Sequence, residues 1–217
     1  MRRFTYVISV LFCLAVSVPA AAGRQGNTCP GERRDFPRFT FGVETSYVLT
    51  FLNYSHFNFI SSDGGRRDER TLTDVAMSNG QILVSGGVNI SDKLNLSLYT
   101  GYGGVYRRER MVPLSMRLSW YSGGDPMKNR WIAFCGLGAG FNDFSDLSRI
   151  SAEGKLGCGY RISLNRSAKL DFLLAFQEVF THPRAYESDA GNYVPVERLR
   201  RNNAFISAFT FGFALVF

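Results

Sequence analysis

The chain has 217 residues, a formal net charge of +7, 45% hydrophobic and 14% aromatic residues, 22 glycines and 7 prolines. That length allows one domain or at most two, and a mean hydropathy of −0.07 excludes a stack of long apolar helices. No repetitive tract is present, which excludes a low-complexity chain.

Residues 1–22 read as a secretory signal. Arg2 and Arg3 supply a positive start, Tyr6 to Val18 an apolar run, and "PAAAG" a small-residue cleavage site after Ala22. The run is short for a membrane span of about 20 residues. Loss of the two signal arginines leaves a net charge of +5, a modest excess that suits an anionic surface. Residues 23–37, "GRQGNTCPGERRDFP", read as a flexible lead. Of the four cysteines Cys13 leaves with the signal. Cys29, Cys135 and Cys158 remain, with no C-x-x-C pair and no metal-ligand spacing.

From residue 38 the chain divides into eight stretches of apolar/polar alternation, the period of β-strands. In residues 38–51 Phe39, Phe41, Val43, Thr45, Tyr47, Leu49 and Phe51 share one face, against Thr40, Gly42, Glu44 and Ser46. Residues 78–90 oppose Ile82, Val84, Val88 and Ile90 to Gln81, Ser85, Gly87 and Asn89. Residues 93–106 oppose Leu94, Leu96, Leu98 and Tyr102 to Asn95, Ser97 and Gly101. Residues 111–121 oppose Val112, Leu114, Met116, Leu118 and Trp120 to Ser115, Arg117 and Ser119. Residues 130–142 are the weakest, because Ile132 and Phe134 fall on the face opposite Trp131, Cys135 and Leu137. Residues 149–162 oppose Ile150, Ala152, Leu156, Cys158, Tyr160 and Ile162 to Glu153, Lys155 and Arg161. Residues 169–180 oppose Leu170, Phe172, Leu174, Phe176 and Phe180 to Asp171 and Gln177. Residues 205–217 set Phe205, Phe209, Phe211, Phe213, Leu215 and Phe217 on one face.

Short turns, 91–93, 122–129 and 164–168, follow the even-numbered stretches; the remaining connections, of which 52–77 and 181–202 are long, lie at the opposite end. An even set of about ten-residue alternating strands is the sequence form of a transmembrane barrel. In lipid every backbone N–H and C=O must be paired internally, so the sheet must close. A soluble barrel alternates too, with its apolar face inward. The polar face here carries Glu44, Arg117, Glu153, Lys155, Arg161 and Asp171, three of each sign, which fits a paired lumen. Aromatic residues, among them Tyr47, Tyr102, Trp120, Tyr121, Trp131, Tyr160 and Phe180, fall near strand ends, where interfacial girdles lie. The expected fold is all-β: a closed eight-stranded antiparallel up-and-down transmembrane barrel over 38–217.

With its signal, its eight strands and a terminal "FTFGFALVF", the chain resembles the small outer-membrane β-barrels of Gram-negative bacteria, the architecture of OmpA and OmpX. The resemblance implies that Phe213, Leu215 and Phe217 form the signal read by the outer-membrane insertion machinery. It implies a periplasmic lead at 23–37, periplasmic termini and short turns, and outward connections at 52–77, 107–111, 142–148 and 182–202. It names an architecture and not an activity.

The expected role is non-enzymatic: an envelope component, or a binder of partners at the cell surface. No catalytic, cofactor or metal residues are assigned. The alternatives are a lipid A acyltransferase or deacylase, a narrow porin-like pore, and, for a soluble chain, a lipocalin-like ligand binder. His56 and His182 are the two histidines. Ser55, His56 and Asp63 would have to meet for the enzymatic reading, yet adjacency in sequence is not triad geometry. Arg107, Arg108, Arg110, Arg198, Arg200 and Arg201 are candidate lipopolysaccharide phosphate contacts at the outward rim. That location excludes nucleic acid as a partner. "GGRRDER", Gly64 to Arg70, reads as a charged loop tip. "GLGAGF" and "GCGYR" lack the following helix that a nucleotide loop requires. Cys135 and Cys158, on neighbouring strands, read as lipid-facing free thiols, the alternative being a disulfide, which needs close Cα approach.

Overall fold

A computed structural model of the chain describes residues 38–106, 109–125, 128–141, 150–165, 167–187, 189 and 191–217. The signal segment 1–22, the lead 23–37, Arg107, Arg108 and the connection 142–148 therefore lie outside the described residues.

The strands are β1 (Phe39–Ile60), β2 (Arg66–Ser91), β3 (Leu94–Tyr106), β4 (Glu109–Tyr121), β5 (Arg130–Phe141), β6 (Ile150–Ser163), β7 (Lys169–Thr181), β8 (Tyr186–Glu187), β9 (Asn192–Tyr193) and β10 (Leu199–Val216). Eight of them close a barrel in the order β1-β10-β7-β6-β5-β4-β3-β2, each antiparallel to its neighbours, and β8 and β9 form a separate two-stranded hairpin. Closure is made between the first and last strands, from Gly42 opposite Val216 to Phe59 opposite Leu199. Phe41 and Phe217 exchange two backbone hydrogen bonds, at 3.0 and 2.7 Å.

The side chains divide by strand parity. Outward on β1 are Phe39, Phe41, Val43 and Tyr47; outward on β10 are Phe205, Phe209, Phe211 and Phe213. Phe39 is 64% exposed and Leu137 75%. Inward on the same strands are Thr40, Glu44, Ser46, Ala208, Thr210 and Ala214, all buried. A closed sheet that is apolar outside and charged inside is the arrangement of a membrane-spanning barrel. A soluble barrel would place these faces the other way round. Cys135 and Cys158 are free and exposed on the outer face.

Glycine makes the lumen possible where a large side chain crosses it. Gly157 faces inward opposite Phe134, and a Cβ there would overlap the Phe134 ring and the Ala175 methyl. At the turns, Gly64 (φ 84°) and Gly123 (φ 82°) hold left-handed backbone that other residues rarely adopt.

The structure corrects two connections. Residues 52–77 are not a loop: β1 runs to Ile60 and β2 starts at Arg66, so only Ser61 to Gly65 connect them. The extra length is a hairpin that, with the start of β10 alongside it as far as Phe59, extends past the end of β7. Residues 182–202 are partly ordered as well, holding β8, β9, a 3-10 turn at Val196–Arg198 and the start of β10. Arg110 lies within β4, and Arg200 and Arg201 within β10, so none of the three belongs to a connection. Tyr121 is not a girdle residue: it is 5% exposed and faces the lumen.

β1 carries a bulge at Phe51, where its register on both neighbours shifts between Thr50 and Leu52. One extra residue moves the following side chains to the other face. Beyond it Phe57 and Phe59 turn inward, to pack with Ala185, Val194 and Leu199 of the last connection.

Candidate functional site

The lumen brings the six charged residues of the polar faces into three ion pairs. Arg117 donates from Nη1 to Glu44 Oε2 at 2.7 Å and from Nη2 to Oε1 at 3.2 Å. Ser46 Oγ adds a bond to Glu44 Oε1 at 3.1 Å. The Arg117 guanidinium carbon lies 3.9 Å from the centre of the Tyr99 ring and 4.6 Å from that of Phe134, within cation–π range. Arg161 meets Asp171 through Nε–Oδ1 and Nη2–Oδ2, both 2.6 Å. Lys155 Nζ lies 3.1 Å from Glu153 Oε1 and donates to Gln81 Oε1 at 2.7 Å. Two forked arginine–carboxylate pairs hold their partners in a fixed orientation as well as by charge.

Two further cations face the lumen that sequence reasoning passed over. Arg130 donates from Nη1 to the Asp92 carbonyl at 2.9 Å and lies 4.1 Å over the Tyr121 ring, whose other cationic neighbour is Arg161 at 4.5 Å. Lys169 is 4% exposed, beside Asp171 on its strand. Both occupy the first position of a strand, where alternation has not yet declared itself. Their parity with Ile132 and with Asp171 was the available signal.

At the level of these pairs the described interior is closely packed. Tyr99, Arg117, Tyr121, Phe134, Arg161 and Leu173 leave a cavity of about 20 Å³ among them, room for about one water. Met111, Val179 and Ile206 meet in a fully buried apolar cluster inside the same barrel. Described lumen residues therefore show charge paired to charge and an apolar plug, not a lined channel.

At the opposite end from the short turns, β1–β2 and the β7–β10 connection are tied together. Glu187 Oε1 accepts from Ser62 N at 3.0 Å, from Ser62 Oγ at 3.1 Å and from the Ser61 hydroxyl. Arg67 Nη2 meets Asp189 Oδ2 at 2.6 Å. The Ser61 bond, first among the influences on it, holds the Glu187 carboxyl below its ordinary value of 4.5. A depressed carboxylate stabilises the folded form above its ordinary pKa, and the contribution is lost as pH falls through the lowered one. We expect hydrogen exchange at Ser61 to Gly65 to be unchanged from pH 8 to 5 and to quicken, after correction for intrinsic rates, as pH falls below 4.5. Glu187→Gln should remove that acid step.

His56 lies in the same projecting region. Its Nε2 is 2.7 Å from Asp68 Oδ1, and this bond leads the influences that lower the Asp68 carboxyl from 3.8. Ser55 and His56 are consecutive strand residues and face opposite sides. Asp63 bonds to Gly65 N at 2.8 Å, at the hairpin tip. The structure thus does not bring Ser55, His56 and Asp63 together; the acid on His56 is Asp68.

The outward basic residues are dispersed. Arg110 donates to the Tyr102 hydroxyl at 3.0 Å on the outer wall. Arg198, at the end of the 3-10 turn, and Arg200 and Arg201, at the start of β10, are exposed. Arg201 is opposite Asn58, which accepts from Arg66 Nε at 3.2 Å, and Arg70 is 3.7 Å from Asp68. By register Arg66, Arg70 and Arg201 share the outward face of the hairpin, beyond the Tyr54 and Phe205 rings. Phe213 and Phe217 are exposed at the closing seam, with Leu215 half-buried between them.

No protein-family model and no curated protein matches the chain. Among solved structures it is similar to the N-terminal β-barrel domain of Pseudomonas aeruginosa OprF, at 12% identity over 81% of this chain and 97% of that one, with a TM-score of 0.39. Neisserial surface protein A matches at 11% identity over 80% and 95% of the two chains, TM-score 0.41. The outer membrane protein AlkL, solved in DMPC lipid bilayers, matches at 9% identity over 88% and 96%, TM-score 0.44.

Proposed function

We propose that the chain is a non-enzymatic integral barrel of the bacterial outer membrane that supports the envelope and presents a rigid head at the cell surface. The observation that carries this reading is the division of the barrel wall: a predominantly apolar outside, and paired charges within. The head is the β1–β2 hairpin bonded to the β7–β10 connection. Its outward arginines, Arg66, Arg70 and Arg201, with Arg198 and Arg200 beside them, lie at the height where lipopolysaccharide phosphates would meet them. Arg110 is turned to Tyr102 and is a weaker candidate. Phe213, Leu215 and Phe217 are the segment through which the insertion machinery would take up the last strand. A filled lumen favours structure over transport.

The test combines a gel and a bilayer. Outer-membrane fractions run with and without boiling should show a mobility shift, because a closed barrel resists detergent until heated. Purified protein in planar bilayers should give flat current traces. A soluble band that does not shift overturns the membrane reading; stepwise conductance overturns the sealed lumen.

A further inference from the structure

We infer that the outer wall of the barrel holds the ammonium group of an amine-bearing membrane lipid, with Glu178 as its counter-charge; this rests on the membrane reading above. Glu178 is opposite Ser207 on β10 and Gly154 on β6. Ser207 shares its strand face with Phe205 and Phe209, which are exposed on the outside of the barrel. The carboxylate is therefore on the lipid side of the sheet, while its strand neighbours Gln177 and Val179 are buried in the lumen. Its Oε1 accepts from Ser207 Oγ at 2.9 Å.

Aromatic rings border this carboxylate along both strands. Toward the short turns, Phe51, Phe176 and Phe209 form one group, with ring centres 5.0 to 6.2 Å apart. Toward the head, Phe180 and Phe205 lie 4.7 Å apart, with His182 4.9 Å from Phe180 and Tyr54 6.5 Å from Phe205. On the β6 side Gly154 contributes no side chain, and the nearest atom to a Cβ built there is Leu137 Cδ2 at 3.7 Å. The result is a slot with a carboxylate in it and rings above and below.

An ionisable group on a lipid-facing surface requires a partner. A carboxylate flanked by aromatic π surface is the chemistry that receives an ammonium, which gains from the charge and from the ring quadrupoles together. A phosphate is repelled by the carboxylate, and an uncharged sugar forms no ion pair with it.

The probe is phosphatidylethanolamine as a minor component of phosphatidylglycerol nanodiscs, with lipids retained on the released barrel counted by native mass spectrometry. Wild-type protein should retain phosphatidylethanolamine above its share in the disc. Glu178→Gln, which keeps an acceptor for Ser207, should cut that preference about tenfold, the scale of an ion pair assisted by a cation–π contact. Gly154→Leu fills the slot from β6 and leaves the carboxylate in place; it should lose the preference as well. Retention unchanged in both variants overturns the proposal. So does a dimer that Glu178→Gln abolishes, since the slot would then belong to a second copy. Wild-type protein that fails to enter nanodiscs overturns the membrane reading itself, a result distinct from entry without preference.

Discussion

Replacing Arg117 with alanine is expected to lower the unfolding free energy by about 3–5 kcal/mol, because it leaves a buried carboxylate without its partner. Glu44 and Arg117 are 4% and 5% exposed and joined by two hydrogen bonds. Removal of the guanidinium also strips the Tyr99 and Phe134 rings of the cation between them. The double variant Glu44→Leu with Arg117→Met should recover most of the loss, since an apolar pair of similar volume is often neutral where a broken ion pair is not. Reversible urea unfolding in lipid vesicles, followed by tryptophan fluorescence, measures both. A single variant within 1 kcal/mol of wild type, on the scale of a surface pair, would mean that water reaches the lumen at this level.

The second large effect lies on the other side of the same strand. Met116 is 54% exposed, next to Arg117 and facing away from it. In a membrane barrel Met116→Arg should cost about 2–4 kcal/mol if the position lies near the bilayer midplane. In a water-soluble barrel the same exposed change would stay within about 0.5 kcal/mol. The comparison therefore tests which face meets lipid by energy alone, independently of fractionation.

Much of the barrel wall was legible because lipid enforces alternation. Outward positions from Phe39 to Tyr47 are apolar but for Thr45, with Thr40, Gly42, Glu44 and Ser46 behind them, and from Phe209 to Phe217 every second residue is Phe or Leu. Beyond the lipid that pressure ends. "RRDERTLTD", Arg66 to Asp74, is polar on both faces of its strand except at Leu72, so no period marks it, and it reads as a loop. Above the bulge the outward apolar residues move to even positions, Leu52 and Tyr54, and break the odd-numbered row that begins at Phe39. One inserted residue at Phe51 hid a strand continuation that pattern matching from Phe39 could not follow. The partners within the lumen were not legible at all. That Glu44 meets Arg117 across 73 positions of sequence depends on the stagger of strands around the barrel, which alternation does not encode. Glu178 was missed for a simpler reason: it is the one polar residue in an apolar row from Leu170 to Phe180, and a reading that searches for apolar positions passes over it.

The seam between β1 and β10 joins the two extremes of the described chain, Gly42 to Val216. Every other strand pair of the barrel wall is formed by neighbours in sequence. Seven strands can thus assemble as local hairpins as they emerge, yet the sheet keeps two open edges until the last strand arrives. Those edges are unpaired, long and flanked by aromatic side chains, the features that invite aggregation. The slowest step should be this one long-range pairing, with the loop-closure entropy of nearly the whole chain against it. A protein whose finished form has no edge passes through a form that is mostly edge, and its survival in transit depends on how soon Phe41 meets Phe217.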